Sequence, residues 1–298
     1  MEMLKKANVD MSKYIELKGE TLRRFQLELL KITDDIIEVC DENNICYQLS
    51  GGSCLGAVRH KGFIPWDDDM DINILGSHFD KFIDCFTKKY GDKYWIHTVN
   101  TPNYGLTVSR IRLKDSVFRI HQDVNNPEAG FFVDLFRLEN VFDNSLLRAV
   151  HGLFCMGFGL MLSCRKFYED RDIMMELANN DKELEKTFRK KILIGRMTSF
   201  LSVKTWAVLT QKCYGFCKNN RSKYLSIPAG RKHYFGEMYL RKDMQNTVFA
   251  RFEGRKWKIA KGWKKYLKML YGDYMWIPPE DKREKHYLLE LKFPENND

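Results

Sequence analysis

The segment Trp66-Asp67-Asp68-Asp69-Met70-Asp71-Ile72-Asn73-Ile74-Leu75 constrains this chain more than any other, because it packs four carboxylates into apolar sequence. In an extended segment side chains alternate, so Asp67, Asp69 and Asp71 share one side while Asp68 and Met70 share the other. Three like charges at that spacing repel one another, and a strand that keeps them together needs a compensating cation. Oxygen ligands of high charge suit Mg²⁺ or Mn²⁺. An EF-hand loop is excluded, since Ile72 and His78 stand where its sixth-position Gly and twelfth-position Glu are required. A solvated acidic turn conflicts with the surrounding Ile64, Trp66, Met70, Ile72 and Ile74. A glycosidase pair would place its two carboxyls across a cleft instead of along one strand.

Two further features point the same way. Gly51-Gly52-Ser53 lies between an expected strand and an expected helix start, where free backbone N–H groups and the helix dipole favour a phosphate. Ser53 is expected to cap that short helix, which runs through Leu55 to Val58. No G-K-[ST] follows, so the turn is not a Walker A loop. Asp134 stands alone in Phe131-Phe132-Val133-Asp134-Leu135-Phe136, and a buried carboxylate must find a metal or a cation. The cation alternative is a salt bridge to Arg110 or Arg112.

Apolar periodicity predicts a helix over 20–43 and another over 77–90, with strands at 45–49, 69–75, 94–99, 106–113 and 131–136. Interleaved helices and strands give an α+β (mixed α/β) fold, a mixed sheet flanked by helices. Beyond Asn144 strand signals fade, and stretches at 145–168 and 188–218 read as helices. The expected division is a catalytic domain over 1–143 and a mainly helical, basic region over 144–298 that completes the site and faces the acceptor or membrane.

Charge and cysteine content narrow the setting. The net charge is +9, and between Lys186 and Lys232 there are twelve Lys or Arg and no acid. Such a stretch suggests an anionic surface or ligand. Nucleic acid is not expected as a partner, because no recognised binding motif accompanies the charge. The eight cysteines form no CxxC pair and no zinc spacing, and residues 1–20 lack an apolar leader core, so a cytoplasmic location is expected. Val150 to Cys164 is apolar but, at fifteen residues, short for a bilayer span. It reads as a core helix or as one lying at the inner face of a membrane, a peripheral contact.

The run from Gly51 to Ile72, with Val133-Asp134-Leu135-Phe136 and the later Tyr271-Gly272-Asp273-Tyr274-Met275 and Pro278-Pro279, resembles the LicD-type phosphotransferases, the bacterial phosphorylcholine transferases related to fukutin and fukutin-related protein. The resemblance implies a nucleotidyltransferase fold in which the turn is Gly52-Ser53, the acid pair Asp69 and Asp71, and the third acid Asp134, with Asp67 in an extended acidic motif. It also implies a CDP-alcohol donor such as CDP-choline, a glycan or glycolipid acceptor of the lipopolysaccharide or teichoic acid kind, and release of CMP. On that view Asp67, Asp69, Asp71 and Asp134 hold one or two Mg²⁺, and Asp134 is either ligand or base for the acceptor hydroxyl. Gly51, Gly52 and Ser53 seat donor phosphate, Arg59 and Lys61 add positive charge, and Arg110, Arg112 and Lys114 alternate along one strand that faces the pocket or forms an outward basic edge. Tyr271, Asp273 and Tyr274 shape the nucleotide or acceptor pocket or simply pack. No role is expected for His60, His97, His233 or His286. Two other readings are a nucleotidyltransferase acting on a small-molecule hydroxyl and a non-catalytic basic binding protein.

Overall fold

The structure, a computed structural model, describes residues 14–120, 123–178, 181–283, 286 and 288–295. Most of the leader region read above therefore lies outside the described residues. Helix α1 (Gly19–Glu42) buries Leu22, Phe25, Leu29, Ile32, Ile36 and Cys40, the apolar stripe expected for it. Next come β1 (Tyr47–Leu49), α2 (Gly51–Arg59), β2 (Asp71–Leu75), α3 (Gly76–Tyr90), β3 (Tyr94–His97), β4 (Ser109–Leu113), β5 (Val117–Ile120) and β6 (Phe132–Val141).

These strands form a mixed sheet in the order β1-β2-β6-β4-β3. Only the central β2 and β6 run parallel; β1 on β2, β4 on β6 and β3 on β4 are antiparallel. One face carries Ile72, Ile74, Ile111, Val133 and Leu135, all fully buried. Helices α1 and α3 cover that face. Phe25 of α1 meets Phe131 edge-on at 4.8 Å, and Phe79 of α3 lies 3.9 Å from the Arg137 guanidinium of β6. The alternate positions, Asp71 and Asp134 among them, point to the opposite face.

After β6 the chain leaves the sheet as α4 (Ser145–Glu169), α5 (Arg171–Ala178), α6 (Lys182–Met197) and α7 (Val203–Tyr214). The helix expected over 188–218 is two helices. The Ser202 side chain accepts from Thr205 N and starts α7, which separates it from α6. The apolar stretch read as fifteen residues lies in the 25-residue α4, which is long and apolar enough to cross a membrane by length and composition. With only 22% of its apolar window buried, it is not a core helix, one of the two readings expected from the sequence.

The chain then returns to the sheet. Strand β7 (Tyr224–Ser226) pairs with the far end of β6, and β8 (Met238–Leu240) pairs with β7. Short helices α8 (His233–Gly236) and α9 (Arg241–Met244) flank β8, and a hairpin, β9 (Thr247–Phe252) with β10 (Arg255–Ala260), precedes α10 (Trp263–Tyr271). Last, β11 (Leu288–Lys292) pairs with β5. These later strands carry a weak sequence signal, as β7 and β8 are three residues long, too short for a period to show. The hairpin does have one: its turn is Glu253-Gly254, both at positive φ (48° and 78°), between runs that alternate through Val248, Ala250, Phe252 and Trp257, Ile259. The principal hydrophobic core runs from Leu17 to Leu288, so the final third belongs to the same core as the sheet.

Backbone approach limits two glycines in opposite senses. A Cβ at Gly56 of α2 would overlap the carbonyl oxygen of Gly62, whereas one at Gly157 of α4 would meet nothing within 4 Å. Gly56→Ala is therefore expected to destabilise by about 1–3 kcal/mol, and Gly157→Ala to be neutral or to stabilise by up to about 1 kcal/mol. Urea denaturation of the two variants checks this; the reverse order would contradict the packing of α2 on the loop after it.

Candidate active site

The sheet register builds the site. Asp71, the first residue of β2, is the parallel partner of Asp134 on β6, and the Asp134 amide donates to the Met70 carbonyl at 2.9 Å. Across β6, Asp134 is paired with Arg110 of β4, and Arg110 with His97 of β3. Partners in register project to the same side of a sheet with strands about 4.8 Å apart. Asp71, Asp134, Arg110 and His97 thus form a row across four strands, with two carboxylates side by side.

Arg110 answers part of this charge. Its Nε donates to Asp134 Oδ1 at 2.7 Å, and its guanidinium lies 4.1 Å from the Phe132 ring. Against the effect of burial, Asp134 holds Arg110 firmly in its charged form. The salt bridge considered from sequence is therefore present, and it leaves Asp134 with further lone pairs, since a carboxylate offers about four. Arg110 Nη1 also stands 3.5 Å from Asp123, which accepts from Arg112 Nη2 at 2.8 Å.

The expected row of Arg110, Arg112 and Lys114 needs correction. Arg112 does lie on the side of Arg110, but it is fully buried against Asp123 and the Gly130 carbonyl, out of reach of a ligand. Strand β4 ends at Leu113, and Lys114 Nζ turns to the Gly91 carbonyl at 2.9 Å. Of the three, only Arg110 touches an acid of the site.

Gly51 and Gly52 form the floor opposite the acids. They are the first two residues of α2 and not a separate turn, and Ser50 takes the N-cap position expected for Ser53. Gly51 has φ 46°, and a Cβ there would stand 2.8 Å from Asp71 Oδ2; a Cβ on Gly52 would stand 3.0 Å from Asp67 Oδ2. Glycine is required at Gly51 by both its positive φ and this approach, and at Gly52 a side chain would crowd Asp67. Ser53, one turn inside, accepts from the Asp71 amide through Oγ at 2.9 Å. The Gly51 amide donates to Tyr266 Oη at 2.8 Å, and that hydroxyl also bonds Ser50 Oγ at 2.9 Å. The Gly52 and Ser53 amides belong to the helix's first turn, which has no acceptors within the helix.

Asp67, Asp69 and Asp71 are half-buried in this recess. Burial, followed by the Asp69, Asp68 and Asp71 charges, pushes the Asp67 carboxyl well above the usual carboxylate range. Burial, followed by Asp69 and Asp134, does the same to Asp71. Such mutual repulsion in a recess floored by two glycines is the environment that a divalent cation relieves, so the donor set fits a hard metal ion.

Asp68, in the irregular segment before β2 where strict alternation does not hold, is buried and meets a residue given no role from sequence. His286 donates its backbone amide to Asp68 Oδ2 at 3.0 Å, and its Nδ1 lies 2.9 Å from Asp68 Oδ1. Burial disfavours the imidazolium, but Asp68 raises His286 to about 9. The ligand atoms of Asp68, Asp69 and His286 all lie within 4.8 Å of one another, so Asp69 links the recess to this pair. No local pattern marks His286, which stands 218 positions from Asp68. Tyr271 is likewise drawn in. Its hydroxyl is 3.6 Å from where a Gly51 Cβ would lie, and burial, Tyr266 and then Asp71 push it well above the ordinary phenol range.

Arg59, at the end of α2, donates through Nη1 to the carbonyls of Tyr274 and Trp276, both at 2.9 Å, and ties the 272–277 loop to the site. Burial lowers its affinity for the proton while the Asp67 charge supports it. Lys61 is exposed on the following turn at φ 59°. Among the other histidines, His60 accepts from Arg59 Nε at 2.9 Å and His97 pairs with Glu128 at 2.5 Å.

Comparison with known proteins matches the part of the chain that carries these acids. Residues 44–148 match the nucleotidyltransferase domain of the LicD/FKTN/FKRP family. Over 279 residues, covering 92% of this chain and 98% of the relative, the sequence is 28% identical to the lipopolysaccharide cholinephosphotransferase LicD of Haemophilus influenzae. It is 30% identical to the human ribitol 5-phosphate transferase FKRP over 117 residues, 31% of this chain and 23% of that protein. A Rickettsia prowazekii protein, RP689, is 40% identical over 68 residues, 21% of this chain and 26% of its own length. On a mixed α/β sheet, residues 44–148 thus form a domain that matches the LicD/FKTN/FKRP nucleotidyltransferase family, and the whole chain is similar to a cholinephosphotransferase of that kind.

Proposed function

We propose that this enzyme transfers a phosphoalcohol, such as phosphocholine, from a CDP-activated donor to a glycan or glycolipid acceptor and releases CMP. The observation that carries the reading is the in-register pair Asp71 and Asp134, with Asp71 against Gly51 and Asp67 against Gly52. Side-by-side carboxylates at a helix start suit an anionic substrate only with a cation between them. The lipopolysaccharide named for the Haemophilus relative supports a lipid-linked glycan as acceptor, and hence action at the inner side of a membrane.

Asp67, Asp69, Asp71 and Asp134 would hold Mg²⁺ or Mn²⁺. When bound, the ion supplies charge neutralisation at the pyrophosphate and at the attacking and leaving oxygens. The chain's own groups do the rest by positioning. The Gly52 and Ser53 amides face donor phosphate oxygens, and Arg59 and Lys61 add positive charge there. Tyr266 fixes Gly51 and so keeps the helix start against Asp71. Arg110 orients Asp134, which binds the ion or takes the acceptor's proton. On this view residues 1–143 carry the acids and 144–298 completes the recess through Tyr266, Tyr271 and His286.

Purified protein given Mg²⁺ and a panel of CDP-alcohols is expected to release CMP in a reaction that EDTA abolishes. Release of pyrophosphate from a nucleoside triphosphate instead would point to nucleotidyl transfer to a small-molecule hydroxyl, and turnover undiminished by EDTA would refute the metal role.

Asp71→Asn separates chemistry from folding. Turnover is expected to fall about a hundredfold or more, as when a principal transition-state contact is lost. Removing one of several crowded charges should leave the melting temperature unchanged or higher. Near-normal turnover, or a marked loss of stability, would show that Asp71 serves the fold and not the reaction.

A further inference from the structure

The helical excursion after β6 presents a surface that the chemistry above does not use. On α4, Leu146 (70% exposed), Leu153 (67%) and Phe154 (59%) stand in solvent. With Leu147, Val150 and Leu160 they fall at helical spacing on one face. From 146 to 161 this stripe extends about 24 Å at 1.5 Å per residue. Beside it, an open apolar groove of about 460 Å³ runs between α4 and Trp206 of α7. Trp206 joins the stripe to a second exposed group, since its ring lies 6.2 Å from Phe158 of α4 and 6.0 Å from Phe200 in the α6–α7 turn. Phe200 is 74% exposed and its neighbour Met197 73%. Soluble chains rarely leave so large a continuous apolar patch uncovered.

The other side of α4 excludes a bilayer span. Gly152 lies so close to Phe235 that a Cβ would overlap its ring, and Gly195 of α6 packs on the Cys164 carbonyl in the same way. His151 bonds the Cys213 carbonyl of α7 at 2.7 Å. Toward its end α4 carries Arg165, ion-paired to Glu169, and Lys166, ion-paired to Asp170. A helix held by protein along one side and apolar along the other lies in the plane of an interface.

Charge complementarity identifies the occupant. Arg196 and Lys204 are exposed at either end of the turn that bears Met197 and Phe200, and Lys186 and Lys190 border Leu193 on the exposed side of α6. All belong to the acid-free segment from Lys186 to Lys232. Apolar side chains with cations along one border, where Glu185 stands beside Lys186 and Lys190 but is paired to Arg189, match headgroup phosphates over acyl chains. A protein partner would need its own acids opposite these cations, and a second copy of this chain would set them against one another. We infer that the α4 stripe and the α6–α7 turn dock this enzyme on an anionic lipid bilayer. The inference rests on the surface alone and stands apart from the donor and metal assigned to the carboxylates.

The test is co-sedimentation of the full chain with vesicles of phosphatidylglycerol and phosphatidylethanolamine, against vesicles of phosphatidylcholine. Binding is expected to the anionic vesicles, weaker to the neutral ones, and reduced by salt. Leu153→Glu with Phe154→Glu should weaken it at least tenfold, and Leu153→Glu alone should weaken it measurably, while Leu27→Glu, the same single change at an exposed residue of α1, should not. Melting temperatures verify that each variant is folded. CMP release from a CDP-alcohol in vesicle-free solution should be the same in all of them, so a failure of docking and a failure of the chemistry are read separately. No binding to anionic vesicles, undiminished binding by the double variant, or a dimer in sedimentation velocity that the double variant dissolves would overturn the inference.

Discussion

The parallel pairing of β2 with β6 is the constraint on which the site depends, because its register decides that Asp71 and Asp134 share one side of the sheet. A slip of one residue would turn either carboxylate into the layer of Ile72, Ile74, Val133 and Leu135 beneath α1 and α3. The apolar face thus fixes the polar one. The hydrophobic burial that selects the register also forces like charges together. Their repulsion is tolerated because Arg110 on the next strand takes up part of it and Ser53 Oγ clamps the Asp71 amide.

What the sequence revealed follows from the range of each interaction. The acid segment, a helix start near Gly51-Gly52 and a buried Asp134 were legible because alternation and helix starts are local, and local patterns survive in one dimension; the approach of the two glycines to the acids was not. The bounds of α1 and α3 were legible for the same reason. The partners that complete the recess were not. Tyr266 and His286 come from far along the chain, and nothing in their neighbourhood differs from an ordinary helix end or loop; Tyr271 was singled out, but its sequence left pocket and packing equally open. Arg112 illustrates the opposite error. Its spacing from Arg110 was read correctly, but only the fold shows that Asp123 covers it completely.

The closing segments explain how a helix start of two glycines stays in place. Gly51 at positive φ gains nothing from helix propensity, and α2 is nine residues long. Tyr266 of α10 bonds both the Gly51 amide and Ser50 Oγ, Arg59 grips the 272–277 loop, and the β9–β10 hairpin packs Phe252 against Phe63 at 5.1 Å. The glycines give close approach to the acids, and the C-terminal third supplies the rigidity that they lack.

Strand β6 joins the two halves of the molecule. Its first half carries Asp134 between β2 and β4; its last three residues, Glu139 to Val141, pair with β7, to which the chain returns after the helices. Residues 145–214 are therefore an excursion that departs from and comes back to the end of one strand. Gln211 of α7 donates to the buried Glu139 of β6 at 2.7 Å, which fixes the helical layer to the same rigid element as the carboxylates. An outer surface mounted this way can be apolar and basic at little cost to the acid row, since the two never compete for the same side chains. The arrangement separates the demands of the chemistry, which needs crowded negative charge, from those of the exposed helical face, which carries the opposite sign.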